Sequence, residues 1–202
     1  PLQFVYHYTK KRDMEIAGFL SAMFAYGAVE QIEKFLTGLL GKMSNSPCDF
    51  VGNFSAKDKK LLEPLKYRFN TGEDIIKLLG SLKKTLNKYG SLEGLFLAGY
   101  SATDENIAAA TGKFIRTLHS AESPGLKFLL SDPARGGTCK RLMLFLRWMV
   151  RKDKVDAGLW TKIDKKKLIV PVDVHMGRLS RIIGLHNKQT YNMKTAIEIT
   201  KG

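Results

Sequence analysis

The chain has 202 residues, with 33 Lys and Arg against 19 Asp and Glu, a formal charge of +14. Its 44% hydrophobic and 26% charged residues are globular proportions, which exclude a disordered, collagen-like or coiled-coil chain. Two cysteines, Cys48 and Cys139, are too few within these residues for a disulfide framework, a four-cysteine zinc site or an all-cysteine iron–sulfur cluster, and no apolar run is long enough to span a bilayer.

Apolar residues recur every three or four positions in segment after segment, which predicts helices. Ile16, Leu20, Met23 and Phe24 share the first face, and Val29, Ile32, Leu36, Leu39 and Leu40 share the next, after a break at Gly27. Ile75, Leu79, Leu82, Leu86 and Tyr89 continue the pattern with lysines between them. Further helices are predicted over Asp104–Ser120, Thr138–Lys152, Val174–Gly184 and Asn192–Thr200, separated by Gly, Pro, Asn and Ser turn chemistry. The strand-like run Leu168–Val172 contains Pro171 and reads as an extended connector. The fold class is therefore all-α. Lacking an initiator Met, and with a helical pattern running up to Gly202, the chain reads as trimmed at both ends.

The positive charge is unevenly spread. Eleven Lys and Arg against three Asp fall between Arg135 and Lys167, so this stretch alone carries eight of the fourteen excess charges. Concentrated positive charge favours nucleic-acid phosphates through counterion release; a solvated basic surface or an anionic membrane surface is the plainer reading. The same stretch holds an organised segment, Leu130–Lys140, a Pro/Gly turn feeding a helix. Thr138 is placed as the N-cap, and Gly136 and Gly137 allow a nucleic-acid backbone close to the exposed amides at the helix start. Lys140 falls in the first turn of a helix that is apolar nearly all round from Leu142 to Val150, which would hold its amine rigidly. A catalytic amine needs such placement; the plainer reading is a solvated or phosphate-contacting lysine.

A second segment, Val170-Pro171-Val172-Asp173-Val174-His175-Met176, delivers Asp173 to the start of a helix with Leu179, Ile182 and Ile183 on one face. Asp173 is an ordinary N-cap by spacing alone. Cys139 reads as a packing residue. His7, His119 and His186 have no metal-ligand spacing, so neither a metal nor a cofactor is expected.

The Val-Pro-Val-Asp-Val-His-Met string, following a Pro/Gly hairpin with a lysine, resembles the helix-hairpin-helix DNA glycosylase superfamily, which includes endonuclease III and the 8-oxoguanine DNA glycosylases. Cys139–Arg151 together with the Asp-Val-His block is similar to a bacterial branch of that group. Asp13–Gly27 sits where the superfamily has its first barrel helix, and Lys66–Ile75 resembles the segment opening a later one.

This resemblance implies two helical lobes, residues 21–152 forming a barrel lobe that ends in the hairpin and Lys140, and residues 1–20 with 153–202 forming a second lobe that carries Asp173. It implies a base-excision glycosylase with lyase activity, in which the Lys140 amine attacks the sugar C1′ and Asp173 stabilises the developing positive charge. The partner would be double-stranded DNA carrying an oxidised base, gripped by Arg135, Gly136, Gly137, Thr138, Arg141, His175 and Arg178. The protein would act as a monomer on the nucleoid in the cytoplasm. The target nucleotide is extruded in such enzymes; Phe24, Tyr26, Tyr67, Phe69 and Trp148 are stacking candidates, and the plainer reading of each is a core residue.

Three features depart from the superfamily pattern. Lys140 and Asp173 are 33 positions apart, with Lys152–Lys167 as an insertion; the hairpin reads Pro-Ala-Arg-Gly-Gly rather than Gly-Val-Gly; and the cluster cysteines of endonuclease III are missing. The rival readings are a non-catalytic nucleic-acid-binding module of the same fold and a protein-interaction domain with a basic face.

Overall fold

The computed structural model of the chain describes residues 1–119 and 123–202, which form helices joined by turns and by a long connector between residues 151 and 173, with one two-stranded ribbon among them. The N-terminal half holds α1 (Lys11–Met23), α2 (Val29–Gly41), α3 (Pro47–Gly52), α4 (Ala56–Leu62) and the long α5 (Gly72–Tyr89). Next come α6 (Leu92–Leu97), α7 (Ala108–Leu118), α8 (Pro124–Leu129), α9 (Lys140–Val150), α10 (Val174–Ile182) and α11 (Met193–Lys201). The helix expected over Asp104–Ser120 starts later, at Ala108, and its expected last residue, Ser120, lies outside the described residues. No helix among the described residues is long and apolar enough to cross a membrane.

The core is one cluster centred on aromatic rings from distant segments. Phe19 of α1 meets Phe114 of α7 and Phe145 of α9 edge-on, with centroids 6.1 and 5.3 Å apart. Trp160 is fully buried and packs on Phe96 of α6 and on Phe145. Trp160 makes part of the Lys152–Lys167 segment integral to the interior. The cluster spans both expected lobe boundaries.

Buried polar groups tie the helices together where apolar packing would leave orientation free. Glu15, 1% exposed, points into the core from α1. Its carboxylate accepts the backbone N–H groups of Leu92 and Glu93, at the start of α6, each at 2.9 Å, and the indole N–H of Trp160 at 2.8 Å. Burial pushes its carboxyl above the ordinary range, and these three hydrogen bonds pull it back only in part. Asp13, two residues earlier, accepts Ser46 Oγ and the Cys48 amide at the start of α3.

Lys66–Ile75 does not open a helix as a whole. Residues Lys66–Tyr67 (β1) and Asn70–Thr71 (β2) pair antiparallel around an Arg68-Phe69 turn, with Arg68 at φ +51°. The reason is the cap: Thr71 and Asp74 form a reciprocal capping box that starts α5 at Gly72 and releases the residues before it. Asp74 also accepts Ser123 Oγ at 2.7 Å, joining α5 to the start of α8. A Cβ at Gly72 would lie 2.3 and 2.4 Å from the carbonyl oxygens of Glu63 and Leu62. Gly72→Ala is therefore expected to destabilise the protein by about 2–3 kcal/mol, read as a lowered thermal midpoint.

Leu179, Ile182 and Ile183 share one face of α10, and that face is uncovered: they are 55, 79 and 62% exposed. The buried face is Gly177 and Ser180 instead. Gly177 has room for nothing larger, because the Tyr191 ring occupies the space a Cβ would take, and its carbonyl bonds to His186 Nε2 at 2.9 Å.

Candidate functional site

Two segments far apart in the chain meet at the start of α9. After α8 the chain turns through a short 3-10 segment, Pro133–Arg135, started by Asp132, whose carboxylate accepts the Ala134 N–H at 2.9 Å. Gly136 follows at φ +84°, a left-handed conformation that glycine adopts without steric cost. The expected N-cap, Thr138, is displaced by one: Cys139 occupies the cap position, at φ +51°, with no side-chain cap bond. A non-glycine residue in that conformation costs on the order of 1 kcal/mol or more, and it redirects the chain into α9. Its thiol is buried and bonds to the Ser131 carbonyl, and burial pushes it up to about 12.

Freed from capping, Thr138 Oγ1 donates to the Val172 carbonyl at 2.8 Å. This bond ties the hairpin to the connector one residue before Asp173. It brings the two charges together: Lys140 Nζ lies 2.8 Å from Asp173 Oδ2, with the side chains 44 and 37% exposed. Asp173 Oδ1 meanwhile accepts the Met176 N–H at 2.8 Å and caps α10. The cap and the charge partner are one residue using two oxygens. Lys140's hydrogen bond, then the Met176 amide, hold the Asp173 carboxyl below the usual carboxylate range.

The pair stands at the edge of a pocket of about 710 Å³. Tyr26 and Phe128 line it, their rings edge-to-face with centroids 5.0 Å apart. Arg141 lies over both, its guanidinium carbon 5.1 Å from the Tyr26 centroid and 4.5 Å from that of Phe128. Its nitrogens donate to the carbonyls of Met23 and Phe128, so it is a fixed wall of the pocket and its donors turn inward rather than toward a phosphate surface. Burial lowers the Arg141 guanidinium to about 10 and raises the Tyr26 hydroxyl to about 12.

The other expected DNA contacts divide. Arg135, Gly136, His175 and Arg178 are exposed on the two segments that carry Lys140 and Asp173, while Gly137 and Thr138 line the pocket. Of the stacking candidates, Tyr26 lines the Lys140 pocket; Phe24, Tyr67 and Trp148 are buried. Phe69 is 68% exposed at the tip of the β1–β2 turn and packs edge-on against Phe128, with centroids 5.6 Å apart. Phe128 itself had no signal in the sequence, because its six-residue helix is too short for periodicity to mark.

The chain belongs to the family described as "Protein of unknown function (DUF2400)", whose sequence profile matches residues 1–202. No curated protein and no solved structure matches it.

Proposed function

We propose that this DUF2400 chain is a helix-hairpin-helix-type DNA glycosylase that excises an oxidised base through a Schiff base on Lys140 and then cleaves the strand by β-elimination. The observation that carries the reading is the Lys140–Asp173 contact of 2.8 Å at the mouth of an aromatic-walled pocket. An exposed ion pair by itself contributes little to stability. Here it joins the first turn of one helix to the cap of another beside a cavity of the size that ligands occupy.

In this reading α8, the Pro/Gly turn and α9 are the hairpin element. A nucleotide turned out of the duplex places its base against the wall formed by Tyr26, Phe128 and the Arg141 guanidinium. Once the Lys140 ammonium gives up a proton, its lone pair attacks C1′ and the bond from C1′ to the base nitrogen breaks. The base leaves with the bonding electrons and takes up a proton. Asp173 supplies fixed negative charge where positive charge develops on the sugar. Its cap bond to Met176 holds that charge in place, as the Thr138–Val172 bond holds the backbone on either side. The two-lobed division, residues 21–152 against 1–20 with 153–202, is part of this proposal; the Tyr6–Val155 hydrogen bond of 2.6 Å and the Glu15–Trp160 bond support the joining of the N-terminal segment to the later one.

Borohydride trapping tests the reading. Duplexes carrying 8-oxoguanine, an oxidised pyrimidine or an abasic site are expected to give a covalent protein–DNA band with at least one substrate, and Lys140→Gln is expected to lose it. Absence of a band on all three, with salt-steep binding intact, would favour the non-catalytic module, for which Lys140→Ala only weakens binding.

A further inference from the structure

A second groove, of about 470 Å³, lies between α2 and the β1–β2 hairpin. Phe35 and Tyr67 line it with stacked rings, 4.6 Å between centroids and 27° between planes. Lys34, Lys66 and Arg68 also line it, all three exposed, and no acidic side chain is among its lining residues. None of the three cations forms an ion pair among the described residues. A groove with a half-buried aromatic wall at Phe35, backed by the buried Tyr67 and ringed by unneutralised cations, fits a planar group attached to an anion.

The groove shares a wall with the Lys140 pocket. Tyr26, from that pocket, packs edge-on against Tyr67 at 4.9 Å between centroids, and its hydroxyl donates to Asn70 Oδ1 of β2 at 2.6 Å. The Tyr67 hydroxyl donates back to the Tyr26 carbonyl. Phe128, Tyr26, Tyr67 and Phe35 thus form an unbroken aromatic run from one cavity to the other. Arg68 stands beside both, since a Cβ on Gly27, which lines the Lys140 pocket, would lie 2.9 Å from its guanidinium.

We infer that the groove binds the base and phosphate of a nucleotide in single-stranded DNA, so that one strand engages the groove and the Lys140 pocket together. That both nucleotides belong to one strand rests on the proposed function; capture of a nucleotide by the groove does not. The protein would then favour single-stranded or locally opened DNA over fully paired duplex.

The test is fluorescence anisotropy of a labelled ten-residue oligothymidylate, with thermal midpoints measured in parallel. Gly38 lines the groove on α2 and a Cβ there meets nothing within 4 Å, so Gly38→Leu introduces bulk at the groove with no backbone strain at its first atom. A Lys34→Glu/Lys66→Glu double variant removes the positive rim without filling it. Each is expected to weaken oligothymidylate binding by about tenfold or more, the range of one lost base–aromatic stack. Both should leave trapping of an abasic duplex at saturating protein unchanged. Unaltered oligothymidylate affinity in both variants, or no binding by the unmodified chain, would overturn the inference, and persistent trapping would then leave the Lys140 reading standing. Displacement of the oligomer by thymidine monophosphate at equal concentration would overturn the strand assignment.

Discussion

Glu15→Ala is expected to lower stability by about 3–5 kcal/mol, because it removes the shared acceptor of three buried donors at once. The Leu92 and Glu93 amides and the Trp160 indole each lose a bond of 2.8–2.9 Å, in a region closed to water. For a chain of this size, such a loss moves the thermal midpoint down by about 10 °C or more. Glu15→Gln should fall between the two: it keeps one acceptor oxygen but points an amide N–H at groups that are themselves donors. Calorimetry on the three proteins checks the order. A midpoint for Glu15→Ala within about 2 °C of the unmodified chain would mean that those donors find other partners.

Asp173→Asn separates the two oxygens of the site. Asparagine caps a helix as well as aspartate does, so the Met176 bond survives and stability should change by less than about 1 kcal/mol. The charge opposite Lys140 is gone. On the proposed mechanism, single-turnover formation of the trapped band should slow by about 10²–10³-fold, the usual cost of losing one positioned electrostatic group. An unchanged rate would reduce Asp173 to its cap. The pH dependence follows from the same contact. Because the folded-state carboxyl is held below its ordinary value by Lys140 and the Met176 amide, the ion pair is fully present above about pH 4, the unfolded carboxylate range, and is lost as pH falls through the lowered value. Covalent trapping by the unmodified protein should therefore be insensitive to this group at neutral pH and fail on the acid side.

The long helices were legible because their apolar period is sustained: α2, α9 and α11 begin and end within two residues of the predicted positions, and α5 starts three residues before its first apolar position. The Lys140–Asp173 pairing was reached through resemblance and not through spacing, since a separation of 33 positions carries no rule that returns the chain to the same point. The cap of α9 escaped because the preference for Thr over Cys at a cap presumes ordinary backbone, whereas Cys139 reaches the position through a left-handed turn. The β1–β2 hairpin was masked by a capping box that marks a helix start only a few residues later. For α10, periodicity reports an apolar stripe but not whether anything covers it, and Gly177 turned the other side inward. Glu15 gave no signal, because a glutamate near the start of a helix is ordinary until its partners from α6 and residue 160 are in place.

The hydrogen bond between Glu15 and Trp160 spans 145 positions of chain, which has a consequence for synthesis. Translation delivers α1 first, at about 5–20 residues per second, so its carboxylate waits on the order of 10–30 s for the indole that completes its shell. Until then Phe96 and Phe145 also lack the ring that packs between them. Closure of so distant a pair is intrinsically slow. A ribosome stalled before residue 160 would hold a chain with its aromatic centre open, a form suited to chaperone capture rather than to spontaneous folding.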